Sequence, residues 1–80
     1  MSSQAISNQP TTYQIQVRGR LEGSWATWFD DMLLGTGTRD DGTTVTTLTG
    51  RLDQSALHGV LRRIRDLGLP LLQVMQIPEP

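Results

Sequence analysis

The sequence predicts an α+β fold: a mainly antiparallel four-stranded sheet with one amphipathic helix on one face, in the order β-β-β-α-β. Three observations carry that expectation. Residues 53–70 (DQSALHGVLRRIRDLGLP) place apolar side chains at helical spacing between a start and a stop signal. Upstream, stretches that alternate apolar with polar residues, or are dense in β-branched ones, are separated by glycine-containing turns. Downstream of the helix, a short apolar run follows a proline.

Taken in order, residues 1–11 (MSSQAISNQPT) are polar and read as a tail without fixed structure, leaving 12–78 as a single domain. Tyr13, Ile15, Val17 and Leu21 then alternate with Gln14, Gln16, Arg18 and Arg20, the pattern of a half-buried strand. Gly19 falls in an inward slot and marks a bulge or a place where something packs on the backbone. The polar face of this strand reads as solvated. Near-neutral charge and the absence of aromatics on it disfavour a nucleic-acid partner.

Gly23 and Ser24 break the strand. Trp25, Trp28 and Phe29 follow at i, i+3, i+4, which puts three rings on one side of a helical turn capped by Ser24. Such a cluster either plugs an open end of a small core or stands exposed as an anchor for a protein or flat ligand. Met32–Thr38 is a second strand, weakened by Gly35 and Gly37. Arg39-Asp40-Asp41-Gly42 carries a hairpin signal, and Thr43–Arg51 is a third strand rich in threonine.

In the helix, Leu57, Val60, Leu61, Ile64 and Leu67 form one stripe at a period of 3.6 residues. Asp53 is placed to cap its N-terminus. Gly68 can adopt the left-handed conformation that ends it, with Leu69 folding back onto Ile64 and Pro70 preventing continuation. Arg62, Arg63 and Arg65 lie toward the C-terminal end, where positive charge suits the helix dipole. Gly59 projects nearly opposite the apolar stripe, beside His58 and Arg62. It is either a tolerated imperfection on a solvated face or a close contact for a second chain. Leu71–Ile77 is the last strand, apolar on both sides as an interior or oligomer-covered strand would be.

Topology turns on the aromatic segment. If it only reverses the chain, strands one to three form a meander. If it holds a helix long enough to cross over, the fold is ferredoxin-like, βαββαβ with a short first helix. The meander is favoured because about eight residues are available, whereas a parallel crossover takes a dozen or more.

Eighty residues bury only roughly 60–65% of the unfolded surface. With no cysteine, neither a disulfide nor a thiolate-bound metal can supplement that core. Self-association is one remaining route to stability. The net charge of −1 argues against a polyanion or membrane-surface partner. The polar N-terminus has no signal-peptide pattern, and Leu67–Ile77 is too short to span a bilayer, so a soluble, cytoplasmic protein is expected.

The run Trp25, Trp28, Phe29, then Thr46, Leu48, Gly50, then Asp53 through Leu71 (W-x-x-W-F, T-x-L-x-G, D-Q-x-x-L-H-G-x-L-x-x-I-R-D-L-G-L-P-L) resembles a family of small, stand-alone, uncharacterised bacterial proteins. The resemblance spans roughly residues 13–77 and implies a single small domain. It implies no activity, substrate or cofactor.

No catalytic, metal or cofactor residue is assigned. His58 is the single histidine. Asp66 lies two turns from it along the helix, and there is no Gly-x-Ser-x-Gly elbow. Asp30–Asp31 and Asp40–Asp41 are sequence neighbours and make no ready acid–base dyad. Gly35-Thr36-Gly37-Thr38 lacks the lysine and helix of a phosphate loop. Two function classes remain. The first is a non-catalytic interaction or regulatory module, a homodimer or the partner of another protein, using Trp25, Trp28, Phe29, His58, Gly59 or Arg62. The second is a small-molecule binder or minor enzyme with a pocket between the aromatic turn and the helix.

Overall fold

A computed structural model describes residues 10–21, 29 and 32–78. Its elements are β1 (Thr11–Arg18), β2 (Leu33–Thr38), β3 (Thr44–Leu52), α1 (Gln54–Asp66) and β4 (Leu71–Gln76). The four strands form one antiparallel sheet in the order β2-β3-β1-β4. Among the described residues α1 is the one α-helix.

The sheet order corrects the meander. β1 and β2 are not neighbours, because β3 lies between them and pairs antiparallel with both. They therefore run parallel, and so do β3 and β4 on either side of β1. This is the strand order of the ferredoxin-like alternative. The error lay in where β1 ends. Gly19 takes φ +104°, a left-handed conformation that ends the strand after Arg18. Fourteen residues then separate Arg18 from Leu33, enough for a crossover. Residues 22–28, 30 and 31 of that connection lie outside the described residues, and so, apart from Phe29, does the aromatic turn expected there.

Gly19 also fastens this end of the sheet. Its N–H donates to the Thr44 carbonyl at 2.8 Å, and its carbonyl accepts from Thr46 Oγ at 2.7 Å. Thr46, on the core face and 1% exposed, is thereby satisfied. Leu69 Cδ2 lies 3.8 Å from where a Cβ on Gly19 would stand, so the chain leaving the helix packs on this glycine.

The β2–β3 hairpin turns as its Asp-Gly signal predicts. Gly42 takes φ +88°, its N–H reaches the Arg39 carbonyl at 2.9 Å, and Arg39 N–H reaches the Thr43 carbonyl at 2.8 Å. At α1, the Asp53 carboxylate accepts from Ala56 N–H at 2.8 Å. At the other end Gly68 has φ +75°, Leu69 N–H reaches Ile64 O at 3.2 Å and Gly68 N–H reaches Arg65 O at 3.0 Å. Those paired bonds are a Schellman stop.

The register decides what is inside. Ile15 faces Leu48 and Val17 faces Thr46, so one side of β1 and β3 meets the buried Leu57, Val60 and Ile64 of α1. Phe29, Met32 and Leu52 complete this cluster, with Tyr13, Leu21, Leu34, Leu61, Leu67 and Leu69 at its margin. β4 is not an interior strand. Among the described residues it pairs with β1 alone and lies at the sheet edge, with all six of its residues exposed.

Candidate functional site

The feature that stands out from the rest of the surface is β4. Leu71, Leu72, Val74 and Met75 are 48%, 36%, 39% and 40% exposed, and no charged residue occurs between Leu67 and Pro78. Edge strands are normally shielded by charge, proline or a bulge, because their unpaired N–H and C=O groups template further pairing. Here the register slips by one residue between Gln16 and Val17, leaving Leu72 without a direct partner. That irregularity is confined to the start of the strand. From Gln73 to Gln76 the ladder is regular, opposite Gln16 to Tyr13.

Backbone directions follow from one bond. Ile77 N–H donates to the Thr12 carbonyl at 2.8 Å. In an antiparallel ladder alternate residues turn their polar groups to the same neighbour, so Met75 and Gln73 also point at β1. Val74 and Gln76 therefore direct their N–H and C=O groups at the open edge. Val74, opposite the core residue Ile15, puts its side chain on the helix side of the sheet. Met75, opposite Gln14, puts its side chain on the open face.

Apart from Leu33, which lies opposite Thr49 and is 76% exposed, the rest of the open face is mainly polar, carrying Gln14, Gln16, Thr47 and Thr49. Val45 is an exception, buried on this face outside the main core. It lines a shallow depression of about 200 Å³ with Gln16, Gly37, Thr38, Arg39 and Thr47. At the hairpin tip, Thr43 N–H donates to the Asp41 carboxylate at 2.9 Å. That hydrogen bond, helped by Arg39 and Arg18, holds the Asp41 carboxyl below its ordinary value of 3.8.

The sequence candidates are scattered relative to this edge. Phe29 is buried at 3% exposure and belongs to the core cluster together with Leu57, Val60 and Ile64. Trp25 and Trp28 lie outside the described residues. His58 and Arg62 are exposed on α1 and, with Leu61 and Arg65, line an open notch of about 320 Å³. Gly59 is half-buried, and nothing lies within 4 Å of where its Cβ would be. His58, Gly59 and Arg62 thus share one helix surface, and Phe29 is inside. Among the described residues no group of three or more His, Cys, Asp or Glu is placed to hold a metal ion. No helix among them is long and apolar enough to cross a membrane.

The sequence marks Leu71–Ile77 as a strand that is interior or covered by another chain, but it names none of its residues as a contact, because the signal is a pattern and not a reactive group. The absence of charge over residues 67–78, on both sides of a strand, was the legible part. Which side of the sheet order it occupied was not.

No curated protein and no solved structure matches the chain. A family model does, over residues 12–75, which is most of the described fold. The chain belongs to that family, a domain of unknown function, DUF8691.

Proposed function

We propose that the protein is a non-catalytic interaction module that self-associates, and that it works in the cytoplasm of a bacterial cell. The observation that carries this reading is the uncharged, apolar edge of β4, which no other strand among the described residues pairs. The bacterial and cytoplasmic setting rests on the sequence resemblance and on the polar, cysteine-free chain.

The magnitudes favour a weak, concentration-dependent assembly over a permanent one. Burying an exposed Leu, Val or Met side chain fully is worth about 1.5–3 kcal/mol, so Val74 and Met75, the two on the regular part of the strand and each some 40% exposed, supply about 1–2.5 kcal/mol per copy. Two copies supply about 2.5–5 kcal/mol, and a few edge hydrogen bonds add about 0.5–1.5 kcal/mol each. Association costs about 4–15 kcal/mol in lost freedom. Gain and cost are of the same size, so the two states exchange with concentration.

Multi-angle light scattering over a dilution series tests this. The expected result is a weight-average mass that rises from 8.9 kDa toward twice that value as concentration increases. A constant monomer mass from about 1 μM to about 1 mM would overturn the reading, since no dissociation constant in that range would then exist.

A further inference from the structure

Resting on that self-association, we infer that two copies join through antiparallel β4–β4 pairing with Met75 on the two-fold axis, giving one continuous eight-stranded sheet. The regular part of the edge fixes the register. The ladder with β1 is uninterrupted from Gln73 to the Ile77–Thr12 hydrogen bond, and the slip at Leu72 lies outside it. Met75 is the midpoint of residues 73–77. A two-fold axis there pairs the whole regular segment with itself and asks nothing of the irregular end.

The backbone groups agree with this placement. Val74 and Gln76 point their N–H and C=O groups outward, and a two-fold at Met75 sets Val74 opposite Gln76 of the second copy. Each such pair exchanges two hydrogen bonds, so the symmetric arrangement forms four. Met75 then meets the second copy's Met75 as a non-hydrogen-bonded pair, the closer kind, with both thioethers on the open face. Directly opposed residues share a face, so both copies place α1 on the same side and their polar faces join into one surface.

A second copy suits the edge better than an unrelated strand. The segment carries no charge, so a copy of itself meets no like-charge repulsion. An isologous contact also closes, using up the apolar edge on both molecules. The other edge, β2, offers less, because Gly35 and Gly37 present no side chain and Leu33 is its one large exposed apolar residue.

Cysteine cross-linking reads the register directly, in a chain that has no cysteine of its own. Opposed Cα atoms in either kind of antiparallel pair are about 4.5–5.5 Å apart, inside the range a disulfide spans, whereas a partner two residues along is beyond about 7 Å. Under mild oxidation Met75→Cys is expected to convert to a covalent dimer in high yield, and Val74→Cys alone is expected to stay largely uncross-linked. The double variant V74C/Q76C is expected to cross-link as well. Cross-linking at Val74→Cys with none at Met75→Cys overturns the register. A dimer by light scattering with neither residue cross-linked overturns β4 as the seam. Growth into long oligomers overturns the closed two-fold and points to β4 meeting β2. A wild-type monomer at all concentrations removes the self-association itself, which separates that failure from failure of the register. Reduced variants are expected to keep the wild-type far-UV circular dichroism, so the yields report pairing.

Discussion

Gly19 and Gly59 should respond in opposite directions to the same substitution. At Gly19 the added methyl group finds ordinary contact distance to Leu69, but φ is +104°, where an L side chain is strained. Gly19→Ala is expected to lose about 1–3 kcal/mol of stability through the backbone and not through packing. Gly59 sits inside α1 with open space around its Cβ position. Gly59→Ala should gain about 0.5–1 kcal/mol, the helix preference of Ala over Gly, and should leave association unchanged if the contact lies at β4. Urea midpoints at constant slope measure both effects. Asp41 adds a pH dependence. Its folded value lies below 3.8, so its contribution is present above 3.8, where the carboxylate is charged, and is lost as pH falls through the lowered value. Carboxyl NMR titration should place its midpoint below 3.8, and a midpoint at or above 3.8 would contradict the Thr43 hydrogen bond as its cause.

The elements show how far local signals carry. α1 was legible because its cap, stripe and stop are written within a few residues of one another. Asp53, Gly68 and Leu69 each do what their positions dictate. Asp53→Ala is accordingly expected to destabilise the fold by about 1 kcal/mol through the lost bond to Ala56, read from thermal or urea unfolding. Strand boundaries carry less information, and a shift of a few residues there changes the topology. The apolar-polar alternation reaches Leu21, but the left-handed turn at Gly19 stops the ladder earlier and lengthens the connection to β2. Periodicity reports which face a residue prefers. It does not report where a backbone angle ends the pairing.

At the scale of the whole molecule, the ambiguous element was β4. An apolar strand with no charge reads equally as an interior strand or as one covered by another chain, and only the sheet order separates the two. Its place at the edge turns a composition signal into a candidate interface. Of the residues singled out from the sequence, Phe29 proves to be core and His58, Gly59 and Arg62 lie on the surface of α1, so the edge itself had to come from the fold. Lysine on an edge strand is a common guard against pairing. Met75→Lys is therefore expected to hold the protein monomeric at every concentration while changing its unfolding free energy by no more than about 0.5 kcal/mol, as for other exposed positions.

Residue-resolved amide exchange as a function of protein concentration tests the central claim most directly, because the two kinds of amide alternate along one strand. The Met75 and Ile77 N–H groups, turned toward β1, should be protected at all concentrations. Those of Val74 and Gln76 should exchange freely when dilute and slow down together as the concentration rises. Exchange at Val74 and Gln76 that stays fast and indifferent to concentration, in the range where scattering is measured, would contradict the account.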